Sequence, residues 1–225
     1  MDIYYAILVL PAVLLSLCAQ VLVKTTFAKY SGIKSSRNIS GRETAALLMR
    51  VQNIREVAIQ RVSGALTDHY DPGAKVLRLS DPVYGNTSIA AIGVAAHETG
   101  HAIQHASSYG PLVLRSALVP AANIGSAVGP WLAVGGLFFS LPFLLHLGIL
   151  FFGVSVLFYL ITLPVEFNAS ARAVAILRSN RVLNESELEG VKKVLAAAAL
   201  TYVAAALTAL MSFLRLILIA RDRQR

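Results

Sequence analysis

The stretch Ile89–Ala106, read as IAAIGVAAHETGHAIQHA, carries the residues whose types and spacing could perform chemistry. Within it, His97, Glu98 and His101 form an H-E-x-x-H motif. Residues four apart on a helix lie on one face, so both imidazoles can reach one zinc ion. Glu98 then lies beside the remaining coordination position, where it can take a proton from an activated water. The motif predicts a zinc site with a general base; the alternative is a core helix that happens to carry two histidines.

A third ligand is needed, because catalytic zinc sites use three protein ligands and keep one position open. His105 follows His101 by four residues, but a straight helix carries it further along the axis, and no glycine turn intervenes. His69 lies in a loop-like segment, where a histidine is more often structural. Glu166 is the favoured ligand because it follows an apolar span and begins a predicted helix on the same side as the motif. Its alternative role is that of an ordinary interfacial carboxylate.

The composition indicates that part of this chain lies in a membrane. Of its 225 residues, 56% are hydrophobic and only 14% are charged, whereas soluble domains carry about 25% charged residues. The net charge is +8, and the basic residues cluster beside apolar segments. This pattern predicts contact with the lipid bilayer rather than with nucleic acid. The single cysteine, Cys18, excludes an intrachain disulfide and a cysteine-based zinc site.

Four apolar segments are long enough to cross a bilayer, at residues 3–23, 118–140, 143–163 and 195–220. The first is interpreted as an uncleaved anchor, because its N-terminus, MDIYY, lacks the Lys or Arg of a signal peptide. The second and third form a hairpin that returns the chain to the side it left.

The polar segment after the first span predicts a small α+β region. Ser40 and Glu43 have capping-box spacing before a helix, and residues 57–62 and 75–80 alternate as strands do. A small sheet or hairpin therefore precedes the metal helix, which Thr87 or Ser88 can cap.

These elements together predict a mainly α integral membrane protein with about four transmembrane helices and a small zincin-like α+β domain. The expected organisation is an anchor at 1–23, the zincin-like domain at 24–115, the membrane hairpin at 116–163, the third-ligand helix and a polar segment at 164–194, and a last span with a basic tail at 195–225. Most Lys and Arg lie in 24–115 and 164–194, which the positive-inside rule places in the cytoplasm. The basic tail argues for the opposite orientation.

The motif HETGHAIQH, followed after a membrane hairpin by EFNASARA, resembles the YugP-type membrane zinc metallopeptidases. The resemblance is closest over residues 66–116 and extends over most of the chain. It implies that His97, His101 and Glu166 bind Zn²⁺ and that Glu98 is the catalytic acid/base. The chain is more distantly similar to the HtpX-type membrane gluzincins, which have an aspartate where Ser170 stands here. Ser170, Asn168 or another group is therefore expected to orient a ligand histidine.

The expected function is that of a membrane-anchored zinc endopeptidase acting on protein or peptide substrates in or near the membrane. Arg172 is a weak candidate for stabilising the oxyanion, its alternative being an ion pair or a phospholipid contact. The strand at 76–79 is expected to receive an extended peptide by edge pairing. Two other hypotheses are an intramembrane protease and a zinc-binding membrane scaffold with little turnover. An intact Glu98 argues against the scaffold, since a structural site has no need of a base.

Overall fold

The computed structural model describes residues 2–222. After a π-helical turn at Tyr5–Val9, the elements in chain order are α1 (Leu10–Ser31), α2 (Gly41–Val51), β1 (Ala58–Val62), β2 (His69–Asp71), β3 (Val76–Ser80), α3 (Asp81–Tyr84), α4 (Ile89–Ala106), α5 (Gly110–Phe138), α6 (Pro142–Ser179) and α7 (Glu185–Asp222).

Four of these helical segments are long and apolar enough to cross a membrane, namely Tyr5–Ser31, α5, α6 and α7. They confirm the predicted mainly α membrane protein with four spans and a small α+β part. The helices are longer than predicted. α6 continues through Pro164, where the sequence suggested a new helix, and α7 includes the polar segment that begins at Glu185. A proline removes one backbone donor, but long apolar helices tolerate this loss when neighbouring groups satisfy the freed carbonyl.

The chain divides into two compact units, the first of which comprises the described residues up to Gln20, Val113–Pro164 and those from Leu200 onward. In this unit the backbones of α5 and α6 approach closely at Gly129 and Gly148, a packing common between membrane helices. The Ser155 hydroxyl donates to the Ala122 carbonyl at 3.1 Å.

The second unit comprises Val21–Leu112 and Val165–Ala199 and contains a three-stranded sheet of order β1-β3-β2. β1 runs parallel to β3, with Ala58 opposite Val76, and β2 runs antiparallel to β3, with Tyr70 opposite Leu77. Both edges of β3 are therefore paired. The expectation that the strand at 76–79 receives a peptide by edge pairing is wrong, because its backbone donors and acceptors already bond to β1 and β2.

α4 lies at the centre of the second unit. One apolar cluster packs it against α2, α6 and α7, through buried residues such as Leu48, Ile92 and Leu177. A second packs it against the sheet and α3, through residues such as Leu77 and Ala95. The helix begins where the sequence predicts, since the Ser88 hydroxyl accepts from the N–H of Ala91. The predicted capping box of Ser40 and Glu43 is also present.

Candidate metal centre

Among the described residues, the side chains that could hold a metal ion together are those of His97 and His101 on α4 and Glu166 on α6. Their ligand atoms lie within 4.8 Å of one another. Glu166 Oε2 is 3.2 Å from His97 Nε2 and 3.5 Å from His101 Nε2. The Glu166 side chain is only 2% exposed. The structure thus brings together the three residues that the sequence suggested as ligands.

The cluster can form because the two helices touch at their backbones. Gly100 lies inside the H-E-x-x-H motif, and a Cβ atom placed there would be 2.6 Å from the carbonyl oxygen of Ala169. His97 precedes Gly100 by three residues, and Glu166 precedes Ala169 by the same number. The close backbone contact therefore lies one helical turn from His97 and Glu166 and directly beside His101, and it sets the distance across which these side chains meet.

The donor set fits zinc. Two imidazoles and one carboxylate are ordinary zinc ligands, and ligand atoms about 2.0–2.1 Å from a tetrahedral ion lie about 3.3 Å apart. The two nitrogen–oxygen distances given above are close to that value. A buried carboxylate facing two imidazole nitrogens also needs a shared positive charge, from protons or from a metal, to be stable.

The Nδ1 atom of each imidazole ring, which points away from Glu166, also has a hydrogen-bond partner. His97 Nδ1 lies 3.0 Å from the Ser170 hydroxyl, and His101 Nδ1 lies 3.0 Å from Oε1 of Gln104. Ser170 thus contacts a cluster histidine, as expected from its position in the sequence. Burial disfavours the charged form of His101, but the adjacent Glu166 and the charge of Glu98 outweigh this effect and raise its pKa.

Glu98 is 8% exposed and lies outside the metal cluster. It follows His97 directly and precedes His101 by three residues on α4, and its charge contributes to the raised pKa of His101.

The other sequence candidates have partners elsewhere. The Tyr70 hydroxyl is 2.7 Å from His105 Nδ1, and His69 Nδ1 is 2.8 Å from the Thr67 carbonyl. Neither histidine belongs to the cluster found among residues 2–222. Arg172 donates from Nε to Asn168 Oδ1 at 2.8 Å.

Gln104 is the residue of this site that the sequence interpretation missed. Its amide is fully buried, and it bonds to His101 on its own helix and to Val165 and Asn168 on α6. The available signal was its position three residues after His101, on the same helical face as the ligands. Without the position of α6, a glutamine there is indistinguishable from a surface residue.

Comparison with known proteins supports a metallopeptidase relationship. The chain is 49% identical over 215 residues to a protein of Bacillus subtilis (strain 168) named “Putative membrane protease YugP”, with 96% of each chain covered. No solved structure matches the chain. The model of the family described as “Putative neutral zinc metallopeptidase” matches residues 5–221, almost the whole chain, and the protein belongs to that family.

Proposed function

We propose that this protein is a membrane-bound zinc endopeptidase that hydrolyses peptide bonds of membrane or membrane-near proteins. The observation that carries the proposal is the cluster of two histidines and one glutamate, with a second buried glutamate beside it. Zincin peptidases need this combination of three ligands and a separate base. With Glu166 as the third ligand, the protein would be a gluzincin.

In this mechanism His97, His101 and Glu166 hold the zinc ion. The bound ion would supply Lewis-acid chemistry, making a water molecule more acidic and polarising the scissile carbonyl. Glu98 accepts the proton of the attacking water and passes it to the leaving amine. Glu98 suits this role because it is close to the ligands and is not one of them.

A polar groove next to α4 offers space for substrate. Its volume is about 400 Å³. It includes Ala102, which follows Glu98 by four residues and so lies on the same helical face. One wall of the groove therefore lies about one helical turn from Glu98, the proposed base. His105 and its partner Tyr70 line it together with Gln52, Asn53, Ile54, Arg55, Glu56, Val57, Lys75 and Ala106.

The decisive experiment compares the full-length protein, purified in detergent, with its Glu98→Gln variant on a fluorescent casein substrate. We expect the wild-type protein to cleave casein in a zinc-dependent manner. The variant should keep its zinc and lose about 10²- to 10⁴-fold in rate, the usual contribution of a general base. Glu189→Gln, at an exposed carboxylate paired with Lys192, is the matched control and should cleave normally.

The outcomes separate the competing functions. Equal cleavage by the wild-type and Glu98→Gln proteins would refute the peptidase. Stoichiometric zinc without cleavage of casein or of membrane-protein substrates would favour a zinc-binding scaffold instead.

We further propose that the second unit faces the cytoplasm of a bacterial cell. The support is the excess of Lys and Arg in 24–115 and 164–194 and the positive-inside rule. A Cys18→Ala protein with Lys34→Cys tests it, because a membrane-impermeant thiol reagent should label that site in lysed cells and not in intact ones. Labelling in intact cells would reverse the orientation.

A further inference from the structure

The orientation of the buried Gln104 amide is determined by its partners. Its Nε2 atom lies 2.8 Å from the Val165 carbonyl and 3.0 Å from Asn168 Oδ1. A carbonyl can only accept a hydrogen bond, so the amide nitrogen must face it. The remaining amide atom, Oε1, then faces His101 Nδ1.

This orientation selects one form of the His101 ring. An amide oxygen accepts and cannot donate, so His101 Nδ1 must carry a hydrogen. A neutral imidazole carries only one ring hydrogen, which leaves a lone pair on Nε2. Nε2 is the atom that faces Glu166 and the proposed metal position.

The orientation of Asn168 is determined in turn by Arg172. Asn168 Oδ1 accepts from Arg172 Nε at 2.8 Å as well as from Gln104. A guanidinium is always charged and has only donors, so it holds the oxygen of this amide, and not its nitrogen, toward itself. The guanidinium also lies over the Tyr109 ring, 5.8 Å from its centre, which limits its movement.

We propose that Arg172, Asn168 and Gln104 form a positioning chain that keeps His101 in the ring form able to bind zinc. Arg172 orients Asn168, Asn168 and the Val165 carbonyl orient Gln104, and Gln104 orients His101. The chain also joins the helix of the H-E-x-x-H motif to the helix of Glu166. None of the three residues belongs to the cluster of proposed metal ligands. The inference rests on the metal site proposed above, and metal affinity rather than hydrolysis is its readout.

The test compares the effect of losing Arg172 when position 168 carries an amide and when it carries a carboxylate. Arg172→Met should weaken zinc binding of the full-length protein about 10-fold or more, as loss of groups that orient a ligand typically does. Asn168→Asp presents two equivalent oxygens, so it needs no orienting partner. Because the side chain at position 168 is only half-buried, water can reach the new carboxylate and keep it charged. In that background Arg172→Met should change zinc affinity by less than about twofold.

Zinc affinity is measured by competition with a chromophoric chelator in detergent, with melting temperatures recorded for each variant. Arg178→Met is the matched control, since this arginine lies on the same helix and pairs with Glu185 instead. It should leave zinc affinity unchanged. Rescue by Asn168→Asp supports the positioning chain, because a merely structural arginine would cost the same affinity in both backgrounds.

An equal loss of affinity in both backgrounds, or no loss in either, would overturn the inference. Failure of the peptidase proposal would look different. Rescue of zinc binding without any proteolysis would refute the peptidase but still support the positioning chain. Gln104→Met, which removes both the amide oxygen and the amide nitrogen at similar length, should lose at least as much affinity as Arg172→Met.

Discussion

Substitution of Gly100 by alanine tests directly whether the proposed metal site depends on the close contact of α4 with α6. The added Cβ would lie 2.6 Å from the Ala169 carbonyl oxygen and 3.1 Å from the carbonyl carbon and the Cα of Ala169. These are backbone atoms of a buried residue in α6, so they cannot rotate away as a side chain can. The helices must separate, or the variant cannot adopt this structure.

The required movement is large for a metal site. Distances below 3.0 Å are essentially never seen for real Cβ atoms, and ordinary contact begins at 3.4 Å, so the helices must separate by about 0.4 to 0.8 Å. Metal–ligand distances are usually held within about 0.2 Å. Because the proposed ligands lie within one helical turn of the contact between Gly100 and Ala169, we expect zinc affinity to fall by about 100-fold, the upper end of the range for loss of an orienting group.

Zinc affinity of the full-length protein in detergent is again the assay, with Gly93→Ala as the matched control. Gly93 also lies on α4, but the atoms nearest to its added Cβ belong to the Val191 side chain, at 3.2 Å, which can adjust. Both substitutions raise helix propensity by up to about 1 kcal/mol. Helix propensity therefore cannot explain a difference between the two variants.

Zinc affinity of Gly100→Ala within twofold of that of the wild-type protein, in a protein that still melts cooperatively, would refute this reasoning. It would mean that the ligands do not depend on the backbone contact. A loss of equal size in Gly93→Ala would also refute it, because the effect would then not be specific to the contact with Ala169.

Three further predictions concern stability. Ser88→Ala removes the N-cap of α4 and should lower the free energy of unfolding by about 1 kcal/mol in denaturant titrations; no change would show that the cap is dispensable. Hydrogen bonds from the side chain and backbone of Ser40 lower the pKa of Glu43. The free energy of unfolding of the wild-type protein should therefore exceed that of Glu43→Gln by a constant amount above the ordinary pKa of 4.5. This difference should vanish as the pH falls through the lowered pKa of Glu43; a difference that persists in acid would contradict this. Chelation of zinc should lower the melting temperature reversibly in the wild-type protein but not in Glu166→Ala, because only a folded site binds the metal tightly; an equal shift in that variant would argue against Glu166 as a ligand.

Local patterns predicted much of this structure. The H-E-x-x-H motif, with Thr87 or Ser88 as a possible cap, predicted a helix at Ile89–Ala106, and hydropathy predicted the four long apolar helices. Sequence spacing also predicted the Ser40–Glu43 capping box. These features depend on residues within one or two turns of each other, so the sequence contains all the information they need.

Strand order and helix continuity could not be predicted in the same way. β3 is the central strand because β1, which is separated from it in the chain by β2, pairs with it directly and in parallel. No alternation pattern encodes this non-local pairing. The continuation of α6 through Pro164 likewise runs against the local signal, which favours a helix start at proline.

For the proposed metal site, the sequence by itself indicated the type of chemistry, since two histidines four apart with a glutamate between them fit zinc and a base. The order of the segments favoured Glu166 as the third residue, but only the tertiary structure places it beside the two histidines. His105 is closer in sequence, but it bonds to Tyr70, whereas Glu166 meets His97 and His101 across the contact of two helices. That contact depends on Gly100 having no side chain and on Gln104 having partners on α6. Both conditions concern residues more than 60 positions apart in the chain, so only the folded protein brings them together.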